Sequence, residues 1–300
     1  MGSQYTKKLT IGLPVYNGEK FVHNAIKTIL QQSYENFELI ISDNNSTDNS
    51  KKICESFAKN DNRIKYVYHN ENKGYVWNFN YLLEHASTDY FMWAGADDVW
   101  HPKFVEKNLE FLERNKEFVG SISEVELFYN LWRDEDFNKF NNLTPTKKFQ
   151  WVQPLVGSYE EKIESLFKFY RFEYAYSIFR TDILKKCMIT KKFLSWEIPI
   201  ILNLLKFGNL NVIDGVMSYK YMGGKDTYQY HQQLFTTSRK HGFGILNSLF
   251  PFFLLTYHVY RIVGTKIFLK HLLKRFILNN YRAQRLVFLD TFSRLFNTRK

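Results

Sequence analysis

The order of elements along this chain predicts an α/β fold built on a doubly wound, mostly parallel sheet. Three observations lead there: short apolar runs alternate with amphipathic stretches through residues 1–120, the runs end in polar or acidic segments, and Pro102 stands where a helix would begin. Leu9-Thr10-Ile11-Gly12-Leu13 reads as the first strand. Phe21, Val22, Ala25, Ile26, Ile29 and Leu30 then keep the 3.6-residue period of a helix. Phe37 to Ser42 is the next strand, and Ser46 and Asp48 are cap candidates for a second helix. Ile64 to Tyr68 alternates as a strand, Val76 to Glu84 reads as a helix, and the apolar run Tyr90 to Ala94 is the buried central strand. Pro102 suits the first turn of a helix reaching about Asn115.

Beyond that point the pattern loosens. Residues 130–156 are polar, aromatic and without period, which predicts a long surface excursion with an acceptor-side role. Helical periodicity returns at Glu160–Phe169 and Ile198–Phe207, and Asn211 to Tyr219 reads as a strand.

At 300 residues and 45% hydrophobic content the chain can bury a sizeable core. Its two cysteines, Cys54 and Cys187, are far apart and lack a metal-ligand pattern, which fits a reducing cytosol. Lys7 and Lys8 lead straight into the first strand, so no signal-peptide core is read there. The net charge of +11 is confined to one end: from Arg239 onward twelve Lys and Arg face a single acid, Asp290, which leaves 29 basic and 29 acidic residues before it. Such a tail attracts nucleic acid or an anionic membrane.

The chemistry concentrates at strand ends, where ligands of open α/β sheets bind. Asp97-Asp98 follows the central strand. Adjacent acids repel unless a cation sits beside them, and Mg²⁺ or Mn²⁺ is commonly held by one or two carboxylates plus substrate phosphates. An isolated acid pair before a proline reads more readily as a solvated turn or helix cap. This one is not isolated. Pro14-Val15-Tyr16-Asn17 follows the first strand, so Tyr16 can lay its ring against a base, and Asp43 follows the second, where a carboxylate accepts from a nucleobase N–H or a ribose hydroxyl.

These stretches resemble family 2 glycosyltransferases, inverting enzymes of the GT-A fold that use nucleotide-sugar donors. The resemblance rests on Ile11 to Glu19, Glu38 to Asp48, Asn72-Lys73-Gly74 with Asn78-Phe79-Asn80, and Tyr90 to Pro102. It implies a Rossmann-like, mostly parallel sheet flanked by helices, with a basic helical appendage at the C-terminus. Residues 1–120 would be the nucleotide-sugar half, 121–238 the acceptor half, and 239–300 a basic, apolar, membrane-associating region. By position, Tyr16 would stack on the base and Asp43 bind it. Pro14, Asn17 and Glu19 would shape the nucleotide loop, and Lys73 would approach the nucleotide. Asp97 would be the last acid of the D-x-D motif, a metal ligand that also contacts the nucleotide, with Asp98 as the second metal ligand for Mn²⁺ or Mg²⁺. Two positions depart from the family pattern: Asn44 stands where a second acid is usual, and Gly95 replaces the first acid of D-x-D.

Inverting transfer needs a base for the acceptor hydroxyl. The resemblance assigns it to Glu197, which precedes the helix Ile198–Phe207 and Gly208; Asp182, Asp214 and Asp226 are the fallbacks, and a plain first-turn helix acid is the structural alternative. Lys220 or Lys225 would add positive charge near the diphosphate. In the tail, Phe243 to Tyr260 has the length of a membrane span but is broken by Asn247, Ser248, Pro251 and His258. The next segment puts Leu269, Leu272, Leu273, Phe276 and Ile277 on one side, with Lys266, Lys270 and Lys274 aligned, as in an interfacial helix.

Two function classes follow. One is a glycosyltransferase, UDP-sugar dependent for preference, acting on a glycan or lipid-linked acceptor in surface polysaccharide synthesis, cytoplasmic and peripheral on the inner face of the membrane. The other is a non-catalytic protein that binds nucleic acid through its tail. The tail's charges are interleaved with Leu, Phe and Ile rather than with Gly, Ser or aromatic platforms, which disfavours nucleic acid.

Overall fold

The computed structural model describes residues 7–128, 152–168, 172–190, 195–221 and 252–278. By its contacts the chain divides into two units, residues 1–190 with 204–223 and residues 191–203 with 224–300.

The first unit holds the sheet. Its strands are β1 (Leu9–Val15), β2 (Phe37–Asp43), β3 (Ile64–Tyr68), β4 (Tyr90–Trp93), β5 (Val99–Trp100), β6 (Phe118–Phe128), β7 (Ile178–Arg180) and β8 (Asn209–Tyr221), in the order β3-β2-β1-β4-β7-β6-β8-β5. β1 runs parallel to β2 and β4, and β2 to β3. β7 is antiparallel to both β4 and β6, β6 is parallel to β8, and β5 pairs antiparallel with β8. The helices of this unit are α1 (Val22–Leu30), α2 (Ser50–Asn60), α3 (Tyr75–Glu84), α4 (Phe104–Arg114), α5 (Tyr159–Lys168) and α6 (Thr181–Lys186). The predicted α/β architecture is therefore observed, and the strand runs explain it: Ile11, Leu13, Leu39, Ile41, Phe91 and Trp93 are all buried in the central strands.

One feature of the topology positions the site. β4 and β5 are consecutive in sequence, yet β5 lies four strands away in the sheet order. The five linking residues are not extended, since the Asp98 N–H bonds the Gly95 carbonyl at 3.2 Å in a tight turn, whereas four strand spacings across a flat sheet come to about 19 Å. The sheet must curl to close that gap, and the linker that bridges it is Ala94 to Asp98. Gly215, with φ +93°, serves the same curl: the register between β6 and β8 jumps from Ser123–Ile213 to Glu124–Val216, a bulge that bends β8.

Sequence and structure differ in detail. Ser46 does not cap α2; the helix begins at Ser50, whose N–H is held by Asp48 Oδ1 at 2.9 Å. β6 and β7 have no counterpart in the sequence reading. Most of the stretch 130–156 lies outside the described residues, although Leu155 bridges to Leu210 by paired backbone hydrogen bonds.

In the second unit, Ser195 (φ +56°) precedes α7 (Glu197–Leu204). Further on come α8 (Phe253–Val263) and, after Gly264, a helical run Thr265–Leu278 whose middle, Phe268–Leu272, is wound as a π-helix. No described helix is long and apolar enough to cross a membrane, and residues 243–251 of the broken apolar stretch lie outside the described set. The expected apolar side of the last helix is covered only in part. Phe268, Leu272 and Phe276 are buried, while Leu269, Leu273 and Ile277 are exposed, at 57%, 37% and 59%. Each set keeps a four-residue spacing, so the apolar side is continuous but only half of it is covered.

Candidate active site

Two loops at the carboxyl ends of β1 and β2 are fastened to one another. Asn17, in left-handed backbone with φ +51°, donates its N–H to Ser46 Oγ at 2.9 Å and accepts from the Thr47 N–H at 2.8 Å. The Gly18 N–H reaches Ser50 Oγ at 2.8 Å. Glu19 gives its N–H to Asp48 Oδ2 and takes the Asn49 N–H and side-chain amide on Oε2, each at 3.0 Å. Asn17 and Glu19 thus act on the loop rather than on open space. Between them and β1, Tyr16 is 52% exposed, its ring unclaimed by the core.

Asp43 is fully buried at the end of β2. Its Oδ1 accepts the Ser46 N–H at 2.8 Å and its Oδ2 accepts the Tyr66 hydroxyl at 3.0 Å, which fixes the carboxylate. Burial and the Asp43 charge push the Tyr66 phenol far above its ordinary value, so it remains a donor. Asn44, where the family pattern has an acid, ties down the next loop instead. Its amide donates to Asn72 Oδ1 at 2.9 Å and its carbonyl accepts the Lys73 N–H at 3.0 Å. Lys73 lies over the Trp77 ring at 4.7 Å and pairs with Glu71 at 3.4 Å.

Asp97 and Asp98 have opposite surroundings. Asp97 is half-buried, and among the described residues no hydrogen bond or ion pair engages its carboxylate. Asp98 is buried and ion-paired with Lys220 of β8, and it also receives the Tyr221 N–H at 3.3 Å. Burial pushes the Asp98 carboxyl up to about 6, against the pull of Lys220 and with the charge of Asp97 adding to the rise. The Lys220 ammonium also sits 3.4 Å from the centre of the Tyr176 ring and 5.5 Å from that of Trp100. Lys220, expected as a positive charge near the diphosphate, has a side chain only 3% exposed. Lys225 and Asp226 lie outside the described residues. Asp182 is exposed and pairs with Lys186 at 3.7 Å, and Asp214 is exposed on β8. Glu197 is half-buried in the first turn of α7, within the second unit, and is described there by itself.

Among the described residues no group of three or more His, Cys, Asp or Glu forms a metal cage. The donor set nonetheless fits a hard divalent cation carried on a diphosphate, which keeps waters and phosphate oxygens and asks for one or two carboxylates. Asp97 supplies such an oxygen. Sequence reasoning missed Tyr66, Tyr176 and the burial of Lys220. The last had a signal: Lys220 is the one charged residue of the strand segment Val216 to Tyr221 and stands between two tyrosines.

Comparison with known proteins identifies the family. A sequence profile describing Glycosyl transferase family 2 matches residues 10–186, more than half of the chain. The putative glycosyltransferase EpsE of Bacillus subtilis is 35% identical over 112 residues, which cover 37% of this chain and 40% of that protein. The putative teichuronic acid biosynthesis glycosyltransferase TuaG of Bacillus subtilis is 37% identical over 99 residues, covering 33% and 39%. The chain thus matches about two fifths of the length of these curated relatives. Among solved structures, S. aureus TarS in complex with UDP-GlcNAc superposes with TM-score 0.55 at 15% identity, over 88% of this chain and 76% of that one. The mannosyltransferase PcManGT of Pyrobaculum calidifontis, with GDP-Man and Mn²⁺, gives 0.53 at 12% identity over 94% and 83%. These structural likenesses speak to the fold. With the profile match spanning the strand ends that carry Tyr16, Asp43 and Asp97, the chain belongs to glycosyltransferase family 2.

Proposed function

We propose that this chain transfers a sugar, with inversion, from a nucleoside-diphosphate donor to a hydroxyl of a glycan or lipid-linked glycan in bacterial surface-polysaccharide synthesis. The observation that carries the reading is the arrangement of three strand ends of one sheet: an exposed ring at Tyr16, a fixed carboxylate at Asp43 and, at Asp97, a carboxylate disengaged among the described residues. Tyr16 stacks on the base, Asp43 accepts a base N–H, and Asp97 holds the diphosphate end of the donor through a divalent cation. That cation, Mn²⁺ or Mg²⁺, supplies Lewis-acid stabilisation of the leaving diphosphate. Glu197 takes the acceptor proton as the hydroxyl oxygen attacks the anomeric carbon. UDP is the favoured nucleotide, in keeping with the UDP-GlcNAc complex of TarS; EpsE and TuaG suggest the polysaccharide context.

The helical run Thr265–Leu278 supports a peripheral membrane location on the inner face of the cell membrane. Residues 252–278 contain no acid, and Leu269, Leu273 and Ile277 are exposed beside Lys266, Lys270 and Lys274. Each basic residue near an anionic surface contributes about 1 kcal/mol.

The test is direct. The full-length protein is incubated with a panel of UDP-, GDP- and TDP-sugars, Mn²⁺ and a lipid-linked acceptor, and products are read by mass spectrometry. Sugar transfer from one nucleotide class supports the reading. Tight nucleotide-sugar binding with no transfer to any acceptor and no slow hydrolysis would count against a transferase.

A further inference from the structure

The space in front of Gly95 is already occupied. A Cβ built on Gly95 would stand 2.9 Å from Asp98 Cγ and in contact with its Oδ2, and 3.2 Å from Asp97 Oδ1. The Asp98 carboxylate therefore fills the volume into which a side chain at position 95 would project. What holds it there is Lys220, buried between Asp98 and the rings of Tyr176 and Trp100. The Tyr221 N–H takes the second carboxylate oxygen. Both residues of this clamp come from β8, which meets β5 directly after the loop: Val99 pairs with Tyr219 and Trp100 with Ser218.

We propose that Lys220 is a positioning residue for the donor site. By pinning Asp98 inward, it leaves Asp97 as the single carboxylate of the loop turned toward the ligand, and it makes glycine obligatory at position 95. This rests on the reading of Asp97 as the metal-bearing residue. It carries a consequence opposite to the one that motif matching suggests. Restoring the family acid by Gly95→Asp does not strengthen the metal site. The new Cβ displaces the Asp98 carboxylate, the loop shifts, and Asp97 is turned from its place.

The displaced role has a defined rescue. With Asp98 reduced to glycine, an aspartate at 95 projects into the vacated volume and meets the Lys220 ammonium. The experiment therefore compares wild type, Gly95→Asp, Gly95→Ala, Lys220→Met and the swap Gly95→Asp/Asp98→Gly. Each is titrated with Mn²⁺ in the presence of UDP, well below its melting temperature. UDP affinity without metal is measured alongside, because a merely structural defect would lower both. The expected result is at least a tenfold weaker Mn²⁺ midpoint for Gly95→Asp, Gly95→Ala and Lys220→Met, metal-free UDP affinity within about threefold of wild type, and recovery of most of the lost Mn²⁺ affinity in the swap. A Gly95→Asp variant that binds Mn²⁺ as tightly as wild type, or more so, overturns the proposal, as does a swap no better than the single variant. Ligand-free melts read the geometry independently. If wild type itself shows no Mn²⁺ dependence, the donor-site reading fails, yet Gly95→Asp must still melt lower than wild type and the swap higher than Gly95→Asp. Equal melting of all three would refute the shared-volume claim.

Discussion

Removing Lys220 should expose the cost of a buried charge. In Lys220→Met the ammonium disappears while Asp98 stays buried, with side-chain exposures of 3% and 5% for the pair. Breaking one partner of a buried ion pair costs about 3–5 kcal/mol, because the remaining charge is uncompensated. The rings of Tyr176 and Trp100 add to that loss, since a desolvated cation over an aromatic face contributes up to about 2 kcal/mol. Taking about 4 kcal/mol and roughly 2–4 °C per kcal/mol for a unit of this size, melting should fall by about 8–16 °C. The double variant Asp98→Asn/Lys220→Met leaves no charge behind and should recover more than half of that fall. Differential scanning calorimetry of the four proteins in the cycle reads both quantities, with the coupling as the difference from additivity. A Lys220→Met protein melting within 2 °C of wild type, or a double variant less stable than either single one, would refute the reasoning.

Three further outcomes are expected. Glu197→Gln keeps size and hydrogen-bonding capacity but accepts no proton, so transfer should fall by ~10²-fold or more at unchanged donor affinity; normal turnover would return the search to Asp182, Asp214 and Asp226. His69 bonds Ser42 Oγ at 2.8 Å, and burial first, then the Lys73 charge, hold its imidazole below the ordinary value. The native state thus binds fewer protons than the unfolded chain below about pH 6.5, so stability falls as pH drops through that value. His69→Gln should flatten this slope in urea titrations, and an unchanged slope would assign it elsewhere. Full-length protein should co-sediment with anionic liposomes, weakly with neutral ones and less at high salt; indifference to lipid charge would make the helical run Thr265–Leu278 a plain structural cover.

The first half of the fold was legible because β1, β2 and β4 are almost wholly buried, β3 alternates and the helices are amphipathic, so apolar runs and regular periods mark them without tertiary context. β1 to β4 and α1 to α4 all stand within a few residues of their expected places. β7 is three residues long and β5 two, too short for any period, and both owe their existence to neighbours in the curled sheet. β6 hides behind Gly120, Ser121, Ser123 and Glu124, a polar-looking strand whose side chains are nevertheless buried. In the tail, the period marked the apolar side but not which of its residues are covered, and only Leu272 and Phe276 of those read there are buried. At the site, the acids at strand ends were visible as types and positions. What separates Asp97 from Asp98 was not, since the partner that decides it, Lys220, lies more than a hundred residues away in sequence.

The proposed role of Asp97, holding a metal-borne nucleoside diphosphate, is read by isothermal titration of wild type and Asp97→Asn with UDP, each with Mn²⁺ and with EDTA. Wild type should bind UDP at least tenfold more tightly with Mn²⁺ than without, and Asp97→Asn should bind equally weakly under both conditions while melting within a few degrees of wild type. Retention of the full Mn²⁺ effect in Asp97→Asn would contradict the assignment.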